Sequence, residues 1–519
     1  MYPGAYVDRF PDKPAVQIAG SDDQLTFAQL DDRSRRLARH LYDLGLRRGD
    51  HIAMLTGNET TAFEIYWAAL RSGLYITAVN RHLAPAEVSY IVDDCGARVL
   101  IVSARLSELA AAVVEHTPQV EQRLVFGASG DADSLACHDS YEDALAGAAD
   151  EPLPSQPRGT DMLYSSGTTG RPKGIEPPLP DRQVEEPGDT VAAVFGTKYG
   201  FDTDTVYLSP APVYHAAPLR FGGAVQALGG TVVMMDHFDA EAALTAIEQY
   251  KITHSQWVPT MFVRMLKLDD ATRARYDLSS LRVAIHAAAP CPVEVKRAMI
   301  DWWGPILEEY YSSTESIGVT LIDSAQWLAK PGSVGPSALG ILQVCDDDGT
   351  NLPVGKIGTV YFERDEPTFE YHNDPDKTRG SRHPRHDNWA TNGDIGYIDD
   401  DGYLFLTDRK AFMIISGGVN VYPQEIEDAL ALHPKVLDGA VIGVPDPEMG
   451  EAVKAVIQPA AGVEPGADLA DELRAFLRER IAHYKVPSSF DFVDELPRTP
   501  TGKLVKGSCG TAISNRKVS

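Results

Sequence analysis

The sequence predicts an α/β protein with a large N-terminal domain, in which helices cover parallel sheets, and a small α+β C-terminal domain. Short apolar strands alternate with amphipathic helices over most of the chain, which is the pattern of parallel sheets with helices on both faces. Beyond residue 408 the pattern becomes more compact. The 519 residues, 44% of them hydrophobic, also suffice for two or more domains with a sizeable core.

The first clear element is a helix over residues 26–45. Leu30, Leu37 and Leu41 recur at helical spacing, and Thr26 followed by Gln29 supplies a capping box at the helix start. An apolar strand follows at 51–57. Later predicted elements are the strands YITAVN (75–80), ARVLIVS (97–103), VYLSPAP (206–212), TVVMMD (231–236), HSQWVP (254–259) and LRVAIHA (281–287), and a helix over 239–250.

Two polar, Pro-rich segments interrupt this alternation, at 146–158 and 176–190, and we interpret both as loops. Near Asp408 the texture changes, and the remaining chain predicts apolar strands around a helix over 468–483. The predicted domains are therefore residues 1–408 and 412–506, with a boundary at 409–411 and a polar tail, 507–519, that is expected to be disordered.

Composition excludes several classes of partner. The net charge of −27, from 47 basic and 74 acidic residues, repels nucleic acid and anionic membranes at long range. The sequence contains no apolar window of transmembrane length and no secretory signal. Its five scattered cysteines lack metal-ligand spacing and fit reduced thiols of a cytoplasmic protein. The sequence allows a homo-oligomer but does not indicate an oligomeric state.

The stretch YSSGTTGRPKG (164–174) is the strongest chemical signal in the chain. Turns rich in glycine, serine and threonine present N–H groups and hydroxyls that suit phosphate oxygens, and Arg171 and Lys173 add positive charge. The spacing differs from the P-loop pattern because Gly174 follows the lysine. Alone, the stretch fits either a phosphate-binding loop or a polar surface loop.

Five stretches in a fixed order resemble the motifs of the adenylate-forming superfamily, in its acyl-CoA synthetase and AMP-dependent ligase branch. They are YSSGTTGRPKG, YYSSTES (310–316), TNGDIGYIDDDGYLFLTDRK (391–410), MIISGGVNVYPQEIE (413–427) and LPRTPTGKLVK (496–506). The resemblance extends over residues 10–506. It implies an adenylation domain, a hinge at 409–411, a mobile C-terminal domain, and the use of ATP, Mg²⁺ and coenzyme A.

The resemblance also implies a two-step reaction. A carboxylate attacks the α-phosphate of ATP to give an acyl-adenylate and pyrophosphate, and the thiol of coenzyme A then takes up the acyl group. Both reactants of the first step are anionic, so preorganised positive charge and donors are expected to stabilise it. Lys503 is the implied catalytic lysine, which bridges the attacking carboxylate and the α-phosphate.

The remaining implied roles follow the motifs. Thr314 bonds phosphate oxygens, and Glu315 holds Mg²⁺, which prefers oxygen ligands. Asp394 accepts from the ribose hydroxyls, and Arg409 lies beside the ribose and phosphate. The β- and γ-phosphates are expected to contact Ser165, Ser166, Gly167, Thr168, Thr169, Gly170 and Lys173, and the pantetheine arm is expected to pass Ser416, Gly417 and Gly418.

Several alternatives within the superfamily remain open. His215 stands where an amino-acid-loading domain would have an aspartate, and no carrier domain follows Lys503, which favours a CoA ligase. The alternatives are an enzyme that hands its acyl-AMP to a carrier protein or to oxygenase chemistry, and a catalytically silent acyl or nucleotide binder. The presence of Lys503, Glu315 and Asp394 argues against the silent binder.

The chain departs from the family pattern at three places. Ala411 replaces the usual Asp or Lys of the hinge, and a small residue there is still expected to permit rotation. Residues 176–190 replace a segment that usually contains Thr-His, so the contacts of that segment cannot be transferred. Ser312 replaces a glycine and is expected to narrow the acyl pocket.

The acyl pocket is expected between the His215 segment and Tyr311. Its mainly apolar character favours a hydrophobic acid, and a medium or long aliphatic acid is preferred to an aromatic or ring-bearing one. His215 is expected to be a gate beside the thiol tunnel rather than a base. The candidate walls, for each of which core packing is the alternative, are His215, Phe221, Trp257, His286, Ala287, Ala288 and Tyr311.

Overall fold

The computed structural model describes residues 1–127, 137–151, 153–165, 172–409, 412–416, 419–447, 449–498, 504 and 506. The chain divides into two compact units. The first unit comprises Met1–Gln256, Asp270–Ala284 and Thr368–Thr378, and the second comprises Trp257–Asp269, Ile285–Pro367 and Arg379–Ser519. The domain boundary at 409–411 that we infer from sequence remains a prediction.

A parallel sheet organises one part of the first unit. Its strands, in spatial order, are Asp139–Ser140, Gln122–Phe126, Ala97–Ser103, His51–Leu55, Tyr75–Ala78 and Thr160–Asp161. The helix Pro85–Asp94 packs Val88, Ile91 and Val92 into a core with Leu100 and Val102 of the third of these strands. The predicted strand at 97–103 is confirmed, and its near-continuous apolar run reflects burial on both faces.

A second group of strands in this unit is also mainly parallel. His254–Trp257, Val206–Ser209, Thr231–Met234 and Pro14–Ile18 are parallel neighbours, and Gln24–Thr26 adds an antiparallel edge. A separate antiparallel sheet consists of Leu163–Ser165, Lys173–Glu176 and Glu370–Tyr371.

The helices of the first unit confirm the predicted alternation. The helix Phe27–Asp43 begins at the capping box of Thr26 and Gln29, as the sequence predicts. Its other α-helices are Thr61–Leu70, Ser107–Val113, Tyr141–Gly147, Thr197–Tyr199, Ala216–Ala227, Ala240–Tyr250 and Asp270–Arg273, with 3₁₀ turns at Pro3–Tyr6, Ala104–Leu106 and Val114–His116 and a π-helix at Ala192–Gly196. The strand Val283–His286 and the helix Pro375–Gly380 run from this unit into the other.

The second unit is mainly antiparallel outside its helices. Leu307–Tyr311, Val319–Asp323 and Ser337–Leu339 form one antiparallel group. Another sheet contains Arg382–His383, His386–Ala390, Gly358–Glu363, Asp394–Ile398 and Leu404–Arg409 in that order, with Ile341–Cys345 beside Gly358–Glu363. Its helices before residue 409 are Pro259–Leu266, Val293–Trp303 and Ser324–Ala329.

The part of this unit beyond residue 412 has the predicted α+β pattern. A sheet is formed by Val419–Val421, Ile414–Ser416, Gly450–Pro459 and Val436–Asp446, with Ser489–Phe492 parallel to Gly450–Pro459. The helices Pro423–Ala431 and Ala467–Arg478 bury leucines against it, and a 3₁₀ turn covers His483–Lys485. The helix predicted over 468–483 ends at Arg478, and Ile481, beyond its end, packs against the apolar core.

In the part of the chain that the structure describes, no helix has the length and apolarity needed to cross a bilayer. Cys95, Cys137, Cys291 and Cys345 are free thiols. Cys509 and the predicted disordered tail at 507–519 lie outside the described residues.

Candidate active site

The predicted phosphate loop is flanked by two antiparallel strands of the first unit. Ser165 ends the strand Leu163–Ser165 and is the register partner of Lys173, which begins the strand Lys173–Glu176. The two ends of the predicted loop are therefore held side by side. Ser166, Gly167, Thr168, Thr169 and Gly170 lie between them, outside the described residues.

The strand after the loop is tightly packed. The ammonium of Lys173 lies 5.3 Å from the ring centroid of Tyr371, a distance at which a cation is attracted to an aromatic face. A Cβ at Gly174 would lie 2.6 Å from Cε of Met162 and 3.1 Å from Cβ of His372. Any larger residue would therefore push this strand away from its neighbours.

The predicted ribose-binding carboxylate lies in the second unit. Asp394 is 7% exposed, and its Oδ2 accepts a hydrogen bond of 2.5 Å from the hydroxyl of Tyr311. Asp394 and Arg409 are register partners on adjacent antiparallel strands. The structure thus brings together three residues that come from two separate motifs.

Thr314 and Glu315 lie at a turn between the strands Leu307–Tyr311 and Val319–Asp323, and both are half-buried. Ser312 Oγ donates to the carbonyl of Gly318 at 2.8 Å, which closes the turn. Ser312 was expected to narrow the acyl pocket, and its observed contact is this turn-closing bond. Gly318 is required here, because an added Cβ would lie 2.0 Å from Cδ1 of Phe362.

Two predicted acyl-pocket residues belong to the first unit. His215 immediately precedes the helix Ala216–Ala227, and its ring lies 4.6 Å from that of Tyr214. Phe221 is 3% exposed and lies 4.9 Å from the ring of Phe195. Both side chains therefore lie beside other aromatic rings, and their role as walls of an acyl pocket stays a prediction.

The other predicted wall residues belong to the second unit. The ring of Phe262 lies 6.3 Å from Trp257 and 5.5 Å from His286, so it joins these two residues. Ala287 is buried, whereas Ala288 is exposed and has a left-handed φ of 75°. The main chain therefore adopts a left-handed conformation at Ala288, just after the strand Val283–His286.

His286 is also linked to a buried ion pair. Its Nε2 lies 3.7 Å from Oε2 of Glu309, which lies 2.6 Å from Nζ of Lys296. Burial, and then the charge of Lys296, hold the pKa of His286 well below its ordinary value. Burial raises the pKa of Glu309 against the opposing effect of Lys296. His286 is therefore neutral.

The predicted catalytic lysine, Lys503, lies outside the described residues, as do Ala411, Gly417 and Gly418. Arg498, before Lys503, and Leu504, directly after it, are described. Arg498 forms a β-bridge with Leu504 and a two-pronged ion pair with Asp438, of which the Nη2–Oδ1 contact is 2.5 Å. Ser416 ends the strand Ile414–Ser416, opposite Val419.

Beyond these motifs, the first unit contains a cavity of about 220 Å³ lined by Gly57, Glu59, Arg81, His82, Arg105, Leu106 and Asp236. Its two arginines are balanced by Glu59 and Asp236, and Arg105 pairs with Asp236 at 3.4 Å, so the lining does not indicate an anion site. Within the described ranges, no cluster of three or more His, Cys, Asp and Glu residues could hold a metal ion.

Sequence reasoning did not identify three residues that hold the strands around the phosphate loop: Asp94, Glu176 and His372. They are far apart along the chain and belong to no shared motif. The one available signal was that Glu176 closely follows the loop.

Comparisons with known proteins agree with the motifs. The sequence profile described as "AMP-binding enzyme" matches residues 5–371, and the profile described as "AMP-binding enzyme C-terminal domain" matches residues 425–503. A feruloyl-CoA synthase of Amycolatopsis sp is 35% identical over 506 residues, covering 96% of this chain and 95% of that protein. The long-chain-fatty-acid–CoA ligase FadD13 of Mycobacterium tuberculosis (strain ATCC 25618 / H37Rv) is 32% identical, covering 94% and 92%.

A ring-bearing acid is also represented among the relatives. The 3-[(3aS,4S,7aS)-7a-methyl-1,5-dioxo-octahydro-1H-inden-4-yl]propanoyl:CoA ligase of Rhodococcus jostii (strain RHA1) is 33% identical, covering 94% of both chains. Among solved structures, the anthranilate CoA ligase AuaEII in complex with anthranoyl-AMP matches with a TM-score of 0.85 and 27% identity, covering 100% of this chain and 97% of that one.

Proposed function

Because the chain belongs to the AMP-binding enzyme family and is an AMP-forming acyl-CoA ligase, we propose that it activates a hydrophobic carboxylic acid as its acyl-adenylate and transfers the acyl group to coenzyme A. The observation that carries this proposal is the grouping of Asp394, Arg409 and Tyr311 in the second unit. The hydrogen bond from Tyr311 to Asp394 joins two sequence motifs, and the carboxylate it orients suits a ribose, while Arg409 is paired with Asp394 through the backbone register of their strands.

In the proposed first step, the carboxylate oxygen attacks the α-phosphorus of ATP and pyrophosphate leaves. Charge develops on the α-phosphate oxygens, and Lys503 is the group proposed to stabilise it. In the second step, the thiol sulfur attacks the acyl carbon and AMP leaves. The first step forms a bond from the carboxylate oxygen to the α-phosphorus and breaks the bond from that phosphorus to pyrophosphate. The second step forms the bond from sulfur to the acyl carbon and breaks the bond from that carbon to the bridging oxygen, which leaves with AMP, while the thiol proton is released.

Asp394 is proposed to accept hydrogen bonds from both ribose hydroxyls. Its carboxylate has two oxygens, and one of them already accepts from Tyr311. That bond fixes the orientation of the carboxylate before the nucleotide binds, which reduces the entropy lost on binding.

Glu315 is proposed to hold Mg²⁺. Its carboxylate lies at a half-buried turn, and carboxylate oxygen suits this hard cation. Since Mg²⁺ commonly keeps waters and substrate phosphates as ligands, a single protein carboxylate fits such a site. When bound, the ion would neutralise phosphate charge.

For the acid, a medium or long aliphatic chain is the favoured class, and the buried rings of Trp257 and Phe262, both in the second unit, support an apolar environment. An aromatic or ring-bearing acid is the second candidate. The feruloyl-CoA synthase and the indenyl-propanoyl ligase, at 35% and 33% identity, give it specific support.

The test is pyrophosphate release from ATP with a panel of aliphatic, aromatic and ring-bearing acids, with and without coenzyme A. We expect release that depends on the acid, and thioester only when coenzyme A is present. Pyrophosphate release without thioester for every acid would favour a carrier-loading or oxygenase branch. No release with any acid would favour a silent binder and contradict the proposal.

A further inference from the structure

Asp94, at the end of the helix Pro85–Asp94, is linked to both strands that flank the phosphate loop. The first strand bonds it directly, and the second is linked to it through His372. Before the loop, the hydroxyl of Tyr164 donates to Oδ2 of Asp94 at 2.5 Å. After the loop, the connection runs through His372, whose Nε2 lies 2.9 Å from the carbonyl oxygen of Asp94. One helix end is therefore a common anchor for the two strands.

His372 makes the second half of this connection. Its Nδ1 lies 2.5 Å from Oε2 of Glu176, in the strand after the loop. Its main-chain N–H donates to the carbonyl of Gly174 at 2.9 Å. The strand that carries Lys173 is thus bonded to His372 at two points, and His372 is bonded to the helix.

These partners determine the protonation of His372. A carbonyl oxygen and an ionised carboxylate can only accept hydrogen bonds, so both ring nitrogens must donate. The ring is then an imidazolium. The hydrogen bond to Glu176 raises the pKa of His372, although burial opposes this effect. The same bond lowers the pKa of Glu176, which stays ionised.

The neighbouring rings do not remove the positive charge of His372, and they do not carry a second one. The ring of His51 lies 5.8 Å away, and its pKa is lowered by burial and then by His372. Tyr75 stacks on His51 at 4.6 Å and donates through its hydroxyl to the carbonyl of Pro177 at 2.9 Å. His51 is therefore the neutral member of the pair.

We propose that His372 is a positioning residue for ATP: as an imidazolium it fixes the strand carrying Lys173 to the helix end at Asp94, and thereby fixes the position of Lys173 at the end of the phosphate loop. The inference rests on the proposed function, in which this loop binds the phosphates of ATP. It also gives a role to Glu176, the first residue of the segment 176–190, because Glu176 supplies the carboxylate that pairs with His372.

The sign of the pH dependence follows from the raised pKa of His372. The ring of His372 donates to both Glu176 and Asp94 below that pKa, and this pair of hydrogen bonds is lost as the pH rises through it. Since the ordinary pKa of histidine is about 6.5, ATP affinity is expected to fall on the alkaline side of that value. A neutral ring can donate to only one of its two acceptors.

The test compares wild type, His372→Gln, Glu176→Gln and a matched control, Asn373→Gly, because glycine accepts the left-handed φ of 55° at this position. Asn373 also bonds the carbonyl of Asp94, at 3.4 Å, but carries no charge. The Kd of MgATP is measured by calorimetry without any acid, from about pH 6 to about pH 9, together with KM for ATP, kcat and the melting temperature. Protonation of ATP itself is the same for all four proteins.

We expect His372→Gln to raise Kd and KM for ATP about tenfold near neutral pH, the usual effect of losing a charged hydrogen bond, and to flatten the pH profile. Glu176→Gln retains an acceptor but lacks the charge that raises the pKa of His372. Its affinity for ATP should therefore fall at a lower pH than that of wild type. Asn373→Gly removes the uncharged side-chain bond without straining the backbone and should stay within about twofold of wild type.

Equal ATP affinity and equal pH profiles in wild type and both folded variants would overturn the inference. If His372→Gln does not fold, Glu176→Gln alone decides through the shift of its profile. The failure of the proposed function would look different, because wild type would then bind MgATP without releasing pyrophosphate for any acid.

Discussion

At the scale of single residues, the hydroxyl of Tyr311 orients the carboxylate proposed to bind ribose. Asp394 is nearly buried, and its bond to Tyr311 is short at 2.5 Å. A buried carboxylate that lacks this donor would reorient or take up a water molecule. The orientation of Asp394 is therefore expected to affect nucleotide binding more than acid binding.

The substitution Tyr311→Phe should raise KM for ATP about tenfold, since a hydrogen bond to a charged group contributes roughly 1.5–3 kcal/mol. KM for the acid should change less, and steady-state kinetics with each substrate varied in turn would measure both. Tyr276→Phe is the matched control, because Tyr276 donates to the carboxylate of Glu241 at 2.7 Å. An equal effect of both substitutions on KM for ATP would contradict a local role for Tyr311.

At this scale the sequence identifies residues but not their contacts. Asp394 and Arg409 fall in one motif, and their pairing on adjacent strands agrees with that grouping. The bond from Tyr311 to Asp394 joins positions 83 residues apart, and no local pattern specifies it. The same holds for Asp94 and His372, whose contact depends on how distant segments pack.

At the scale of elements, the turn from Ser312 to Gly318 determines where Thr314 and Glu315 lie. It is closed by the bond from Ser312 to the carbonyl of Gly318, and it is held against Phe362. The turn therefore has little room to shift. A small change in its backbone would move the carboxylate proposed to hold Mg²⁺.

The substitution Gly318→Ala should displace this turn and lower kcat for adenylation by more than about tenfold, since misplaced catalytic groups reduce rates steeply. Its Cβ would lie 2.0 Å from Phe362, so some loss of stability should accompany the effect. The control is Gly147→Ala, where an added Cβ meets nothing within 4 Å. Adenylation at the wild-type rate in a folded Gly318→Ala variant would show that the turn tolerates displacement.

Elements with strong local signals are predictable from the sequence. The strand Ala97–Ser103 has a nearly continuous apolar run. The helix Phe27–Asp43 has apolar residues at helical spacing and a capping box at its start. The strand Glu370–Tyr371 is not predictable in this way, because it has two residues and exists through pairing with Ile175 and Glu176. The start of the segment 176–190, which we interpreted as a loop, joins this sheet for the same reason.

At the scale of the whole molecule, the negative net charge opposes the binding of the anionic substrates that the proposed reaction uses. A net charge of −27 repels both ATP and the acid. The first step therefore depends on a few local cations, of which Lys503 is the one proposed to act on the α-phosphate. The second step starts from the mixed anhydride, which already carries the leaving group, and it is therefore proposed not to need Lys503, although coenzyme A is also a polyanion.

The substitution Lys503→Ala should accordingly reduce acyl-adenylate formation by at least about a thousandfold, as expected for loss of a key electrostatic group. Thioester formation from supplied acyl-AMP should remain within about threefold of wild type. Pyrophosphate release and thioester yield measure the two steps separately.

Lys435→Ala is the control, because Lys435 is an exposed lysine of the same unit that pairs with Glu472. A similar loss of both half-reactions in Lys503→Ala would refute the division of labour between the two steps.

The link between Glu176 and His372 spans 196 positions of the chain. Protein synthesis proceeds from the N-terminus, so a ribosome adds the glycine-rich stretch long before it adds the strand Glu370–Tyr371. A nascent or truncated polypeptide that stops short of position 370 lacks the partner strand and the imidazole. Such fragments would compete poorly for cellular ATP, and the capacity to consume it would arise only late in translation.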